Sequence, residues 1–129
     1  MPPEFIVIAG PNGAGKSTTS RNILTPYGIE AFDWDKEFHK KWNTFEFDPT
    51  LIDGIRDSVN DSFQNHIELA FSTNQSVAYE TNFHSVYNIQ LAKKARKLGY
   101  RTSLYFLALS DVRLGINRVK KRVKEGGHH

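Results

Sequence analysis

The chain contains no cysteine, which excludes disulfide bonds and thiolate metal sites and fits a reducing compartment such as the cytoplasm. No apolar run approaches the roughly 18 residues that a membrane-spanning helix requires. The start, MPPEFIVIAG, lacks a charged n-region and a small-residue cleavage site, so no signal peptide is predicted. Internal repeats, low-complexity tracts and linkers are also absent. We therefore expect one cytoplasmic domain over residues 1–129, without a membrane segment.

Acidic residues are scarce only towards the end of the chain. Residues 1–92 carry 6 Lys/Arg and 12 Asp/Glu, a balance of −6, whereas residues 93–129 carry 11 and 2, a balance of +9. Two basic, solvated helices would account for this asymmetry. A surface that meets the phosphates of a nucleotide or nucleic acid is the alternative.

Apolar patterning predicts strands and helices in alternation. The predicted strands are Phe5–Ala9, Ile29–Trp34, Gln75–Tyr79 and Thr102–Leu109. The predicted helices are Lys16–Leu24, a long helix from Pro49, Ser85–Leu98, and a last helix capped by Ser110 or Asp111 with the apolar stripe Val112, Ile116, Val119 and Val123. Residues 36–47 are ambiguous. This order predicts an α/β fold, with a mostly parallel sheet covered by helices on both faces.

A glycine-rich loop, GPNGAGKS, lies between the first strand and the first helix. It fits the phosphate-loop pattern G-x-x-x-x-G-K-[ST] with the residues Gly10, Pro11, Asn12, Gly13, Ala14, Gly15, Lys16 and Ser17. Glycines let backbone N–H groups approach phosphates, and the helix N-terminus attracts the same anion. Lys16 would reach the β- and γ-phosphates, Ser17 would ligate Mg²⁺, and Thr18 or Thr19 could contact the α-phosphate. The loop predicts nucleotide binding and leaves the type of reaction open.

Acidic residues follow two further predicted strands. Asp33 and Asp35 follow the second strand, and Glu80 follows the third, with Thr81 and Asn82 after it. The carboxyl ends of parallel strands form the ligand-binding edge of an open sheet. Phosphoryl transfer to a hydroxyl needs a carboxylate that orients the acceptor, for which Asp35 is the first candidate and Asp33 the second. A helix cap or a solvated loop charge is the alternative for each carboxylate.

Two arginines of the predicted last helix, Arg118 and Arg122, lie one turn apart. Arginine neutralises charge on a transferring phosphoryl group, so both are candidate catalytic residues. Two solvated arginines on a basic helix are the alternative. Trp34, Trp42 and Phe45 could stack on a substrate ring, although packing in the core is the more common use of such side chains.

Several segments together resemble the zeta toxin family of P-loop kinases. These are FIVIAGPNGAGKST, FDWD, VAYETNFH and LGYRTSLYFLALSDVRLGINRVKKRVKEGGHH. The resemblance implies a three-layer P-loop kinase fold, the cofactors ATP and Mg²⁺, and phosphorylation of UDP-N-acetylglucosamine at an amino-sugar hydroxyl. It also implies Asp35 as base, Glu80 and Thr81 on the substrate, Arg118 or Arg122 on the phosphates, and an antitoxin as a possible partner. Asn82 stands where many relatives have threonine.

Members of that family continue beyond the point that corresponds to His128, with a further arginine-bearing helix and a last strand. The resemblance therefore implies a domain without its last strand and lid, whose own activity is open. A nucleotide-binding fragment without catalysis is one alternative to a kinase. A nucleic-acid-binding P-loop protein is another, which is disfavoured because no aromatic residues interleave with the basic ones on the predicted helices of residues 93–124.

Overall fold

A computed structural model describes residues 2–11, 15–82, 86–111 and 116–124, from residue 108 onward through the backbone alone. The strands are β1 Glu4–Ala9, β2 Ala31–Asp33, β3 Val77–Thr81, β4 Arg101–Asp111 and β5 Ile116–Lys124. The α-helices are α1 Lys16–Leu24, α2 Trp34–Thr44, α3 Ile52–Thr73 and α4 Val86–Lys97, and short 3₁₀ helices occupy Thr25–Tyr27 and Pro49–Leu51.

The strands form one sheet in the order β2-β3-β1-β4-β5. β1 pairs in parallel with β3 and with β4, and β3 pairs in parallel with β2. Both β2 and β3 therefore lie on the same side of β1, and the carboxyl ends of all three strands meet at one edge of the sheet. The predicted α/β fold with a mostly parallel sheet is confirmed.

β1 is buried on both faces, which explains its uninterrupted apolar sequence. Phe5 and Val7 pack in a cluster with residues of α3 and α4. Ile6 and Ile8 point to the other face and pack with Leu24 of α1. Helices thus cover the sheet on both sides, and the burial of these side chains is the main driving force for assembling the three layers.

The predicted last helix is wrong. β4 continues through Asp111, and the segment expected to be helical forms β5, which pairs antiparallel with β4 and places Arg118 opposite Ala108 and Arg122 opposite Tyr105. The free edge of β4 offers a row of backbone donors and acceptors that a strand satisfies along its length. β-branched residues at 116, 119 and 123 suit a strand as well as a helical stripe, and antiparallel edge strands are common on parallel sheets.

The ambiguous segment forms helix α2 and begins with a cap. Asp33 Oδ1 accepts a hydrogen bond at 3.1 Å from the backbone N–H of Lys36, so the carboxylate satisfies a free donor of the first turn. The rings of Trp34 and Phe38 stack at 5.4 Å between centroids, and Phe38 and Trp42 stack at 5.9 Å. Spacing of four residues places these rings on one face of the helix.

Helix α3 is the long helix predicted from the apolar repeat, and it starts at Ile52 after the 3₁₀ turn that Pro49 opens. Its buried residues are Ile55, Val59, Ile67 and Ala70, whose spacing places them on one face of the helix. Within the described part of the chain, none of the helices is long and apolar enough to cross a membrane.

Candidate active site

The phosphate loop leaves β1 through a tightly packed glycine. The backbone N–H of Gly10 donates to the carbonyl of Thr81 at 3.1 Å. A Cβ at this position would lie 2.8 Å from the backbone oxygen of Leu107, closer than a side chain tolerates. Glycine is required here because the chain passes between β3 and β4 without room for a methyl group.

A second glycine begins helix α1. Gly15 is the N-cap residue, with a φ of 80° and a ψ of 28° in the left-handed region that glycine adopts without strain. The helix then begins at Lys16, so its first N–H groups face the loop. The predicted contacts of Asn12, Gly13 and Ala14 lie outside the described residues, and Pro11 is exposed beside them.

Lys16 points back towards the ends of β1 and β3 rather than into solvent. Its ammonium Nζ donates to the carbonyl of Gly10 at 2.7 Å and to Oδ1 of Asn82 at 2.6 Å. These two contacts join the start of α1 to the ends of β1 and β3. The side chain is partly buried, so its positive charge is held at the edge of the sheet where the strands end.

One cavity of about 380 Å³ collects seven of the predicted site residues. Its lining includes Lys16, Ser17, Asp33, Asp35, Glu80, Thr81 and Asn82. These side chains come from α1, α2 and the end of β3. The cavity therefore brings together the side chains that the sequence placed at the phosphate loop and at the strand ends. Thr18, the predicted contact of the α-phosphate, is exposed on α1 and does not line the cavity.

The two aspartates lie where β2 meets α2. Asp33 ends β2 and caps α2, the alternative that the sequence left open for it, and Asp35 lies in the first turn of that helix. A carboxylate in a first helical turn is stabilised by the helix dipole. Both side chains still face the cavity, so the capping of α2 fixes Asp35 relative to the strand ends.

Glu80 is the most buried carboxylate of the cavity, with 9% of its surface exposed. It lies within β3, directly opposite Ile8 of β1 and Asp33 of β2. Burial raises the pKa of Glu80 above its ordinary value, and the charge of Asp33 raises it further. The Ser20 hydroxyl and the charges of Lys16 and Lys36 act in the opposite direction on this pKa.

We expect Glu80→Gln to become progressively more stable than the wild type as pH rises above the ordinary glutamate value of 4.5. A carboxyl whose pKa is higher in the folded than in the unfolded state stabilises the folded protein at pH values below the unfolded-state pKa. This contribution is lost as pH rises through the folded-state pKa. Glutamine has the same shape and does not titrate. Urea unfolding of both proteins across a pH series measures the difference in free energy.

The control is Glu68→Gln, on the exposed surface of α3, which removes the same charge from solvent. A Glu80→Gln variant whose advantage shrinks as pH rises, or whose pH dependence equals that of Glu68→Gln, would contradict the assigned effect of burial.

About half of the residues that line the cavity have aromatic or carboxamide side chains. Most of these residues were not predicted from the sequence. Trp34 donates from Nε1 to Oδ1 of Asn60 at 2.8 Å. Tyr79 donates from its hydroxyl to Oδ1 of Asn88 at 2.6 Å, and burial raises the pKa of Tyr79. The other aromatic lining residues are Phe63 and Tyr87. The sequence marked Trp34 as a candidate stacking residue and Asn82 as a candidate site residue, and gave no such signal for the other members of this wall.

The candidates Arg118 and Arg122 lie in β5, on the opposite side of β1 from β2 and β3. Their side chains are outside the described residues. Their expected place on a helix is wrong, and their expected role at the phosphates stays a prediction.

Comparisons with known proteins agree with the fold. A protein from Chloroflexus aurantiacus described as a candidate kinase shares the fold with a TM-score of 0.64 at 13% identity, over 81% of this chain and 58% of that one. A chain from the PezAT chromosomal toxin–antitoxin system of Streptococcus pneumoniae gives 0.68 at 18% identity, over 88% of this chain and 50% of that one. This chain thus spans between half and three fifths of the structures it matches.

No curated protein sequence gives a significant match to the chain. The model of the zeta toxin family matches residues 1–129, which includes the loop, the strand ends and the cavity that they line. The chain belongs to the zeta toxin family.

Proposed function

We propose that the protein is an ATP-dependent phosphotransferase that phosphorylates a hydroxyl of a small molecule, and that the acceptor is a sugar nucleotide such as UDP-N-acetylglucosamine. One observation carries the proposal: the phosphate-loop lysine and three carboxylates, Asp33, Asp35 and Glu80, line the same cavity. A positive group for phosphates and a carboxylate for a hydroxyl are the two parts that phosphoryl transfer to an alcohol requires.

The loop residues present fit a nucleotide. Close passage of the backbone at Gly10 and the left-handed cap at Gly15 are what a loop needs to turn N–H groups towards phosphates. Lys16 would hold the β- and γ-phosphates, Ser17 would ligate Mg²⁺, and Thr18 would lie by the α-phosphate. When bound, ATP with Mg²⁺ supplies the phosphoryl group and its activation.

The described residues contain no group of three or more His, Asp or Glu side chains that could hold a metal ion. A Mg²⁺ ion at Ser17 would therefore take its remaining ligands from phosphate oxygens and water, as this cation commonly does.

Asp35 is the proposed base. In this role its carboxylate would accept the proton of the acceptor hydroxyl as the hydroxyl oxygen bonds to the γ-phosphorus and ADP leaves. Asp33 is the second candidate, but its Oδ1 already accepts the Lys36 N–H, so one of its oxygens is engaged in capping. Asp35 lies in the cavity wall beside it and is therefore the better placed of the two for proton transfer.

The aromatic and carboxamide wall suits a sugar nucleotide. Flat rings such as Trp34 and Phe63 offer surfaces on which a base or sugar can stack. The carboxamides of Asn60 and Asn88 add polar groups for hydrogen bonds with the hydroxyl and amide groups of such an acceptor. Glu80, Thr81 and Asn82 would contact the same acceptor from the end of β3. Burial of the Glu80 carboxyl raises its pKa above the ordinary glutamate value.

The similarity to a chain of a toxin–antitoxin system supports two further parts of the proposal. The activity would act on a metabolite of the cytoplasm, and an antitoxin protein would be a partner that restrains it.

The proposal is tested by incubating the chain with ATP labelled at the γ-phosphate, Mg²⁺ and UDP-N-acetylglucosamine. We expect label in the sugar nucleotide, and no transfer after chelation of Mg²⁺. UDP without the sugar, offered as a control acceptor, should stay unlabelled. ATP binding in calorimetry without transfer to this acceptor or to a wider panel of hydroxyl compounds would instead support nucleotide binding without catalysis. Absence of ATP binding would contradict the proposal altogether.

A further inference from the structure

Asn82 holds the lysine of the phosphate loop. Its Oδ1 accepts a hydrogen bond from Lys16 Nζ at 2.6 Å, while the Gly10 carbonyl accepts another at 2.7 Å. The carboxamide oxygen must face the lysine, because an ammonium group can only donate. Asn82 follows directly after β3, and this strand is hydrogen-bonded to β1, so the acceptor is carried by the sheet rather than by the loop itself.

Both acceptors of Lys16 are neutral, although carboxylates line the same cavity. Across the parts of the chain that the structure describes, no Asp or Glu oxygen lies within ion-pair distance of this ammonium. Its charge is therefore oriented but not neutralised. An ion pair at this point would have to be broken before the lysine could meet a phosphate, at the expense of affinity.

We propose that Asn82 is a positioning residue that aims the Lys16 ammonium at the phosphate site while leaving its full charge available. The inference rests on the proposed nucleotide function, and it differs from the expected contact of Asn82 with the acceptor substrate. An ammonium has three donors. Two of them reach Gly10 and Asn82, so as far as the described residues go the third is open to a phosphate oxygen.

Two variants separate positioning from a purely structural role. Asn82→Asp keeps the shape and the acceptor but adds a negative charge, which would pair with Lys16 and repel phosphates. Asn82→Ala removes the acceptor and leaves the lysine free to turn. A structural role predicts that aspartate, the isosteric change, is tolerated better than alanine, whereas the proposed role predicts the opposite order for ATP affinity.

The experiment is calorimetric titration of each protein with ATP, together with thermal unfolding without nucleotide. We expect Asn82→Asp to unfold at or above the wild-type temperature and yet to bind ATP about tenfold to a hundredfold more weakly, since the added carboxylate would pair with Lys16 and repel the phosphates. This loss should shrink as NaCl is raised. Asn82→Ala should bind ATP about threefold to tenfold more weakly.

The control is Asn22→Asp, an exposed position on α1, which adds the same charge away from Lys16. Equal affinity of Asn82→Asp and wild type for ATP would overturn the inference, and so would equal weakening by Asn82→Asp and Asn22→Asp. In either case ATP binding by the wild type would leave the proposed function standing. A wild type that does not bind ATP would overturn both.

Discussion

Asp35→Asn is expected to lower kcat for phosphoryl transfer by about 10²- to 10⁴-fold, the usual contribution of a positioned general base. Affinity for ATP should stay within about twofold, because asparagine keeps the size of the side chain and removes only its ability to accept a proton. Steady-state kinetics with labelled ATP and the identified acceptor, combined with calorimetric titration of ATP, measure both quantities.

Two variants frame this result. Asp33→Asn is the matched control, because asparagine caps helices as well as aspartate does and should preserve the start of α2. Lys16→Ala should lose both ATP binding and transfer, since it removes the charge held at the loop. If Asp35→Asn keeps wild-type kcat while Asp33→Asn loses it, the base is Asp33. If both keep it, neither aspartate is the base.

Phe5→Ala is expected to reduce the free energy of unfolding by about 3–5 kcal/mol. The Phe5 side chain is fully buried at the centre of the sheet, with its ring centroid 6.0 Å from that of Phe71 and 5.9 Å from that of Tyr79. Removing it leaves a cavity under α3 that the close-packed surroundings can only partly fill. Since small domains are stable by only about 5–15 kcal/mol, urea unfolding should show a large fall in midpoint.

The control for this variant is Leu69→Ala. Leu69 lies on α3 with 64% of its surface exposed, so its truncation should change stability by no more than about 0.5 kcal/mol. A Phe5→Ala protein that unfolds at nearly the wild-type denaturant concentration would show that the core cluster around β1 relaxes far more easily than its packing indicates.

The sheet and most helices could be predicted because their signals are local. The run FIVIA has no polar face, which only a strand covered on both sides explains, and the apolar repeat of α3 needs no tertiary information. The segment at 116–124 could not be assigned in this way. Its isoleucine and valines fit a helical stripe, and its strand conformation follows from the open edge of β4, a feature of the assembled sheet rather than of the segment.

The residues of the candidate site also fall into those marked by local sequence patterns and those placed by tertiary packing. Lys16, Ser17, Asp33 and Glu80 were predictable because a loop motif and strand ends mark them in sequence. Asn60 and Phe63 come from the middle of α3 and reach the cavity through helix packing, which no spacing in the sequence indicates. The hydrogen bond from Lys16 to Asn82 joins residues 66 positions apart and could be found only from the folded chain.

Both tryptophans of the chain, Trp34 and Trp42, belong to helix α2. Trp34 lines the cavity and donates to Asn60, and Trp42 stacks in the same row of rings through Phe38. Excitation of tryptophan therefore samples helix α2, which reaches the cavity through Trp34. Intrinsic fluorescence of the unmodified protein is thus a built-in optical reporter, whose emission should respond to an occupant of the acceptor side without any attached label.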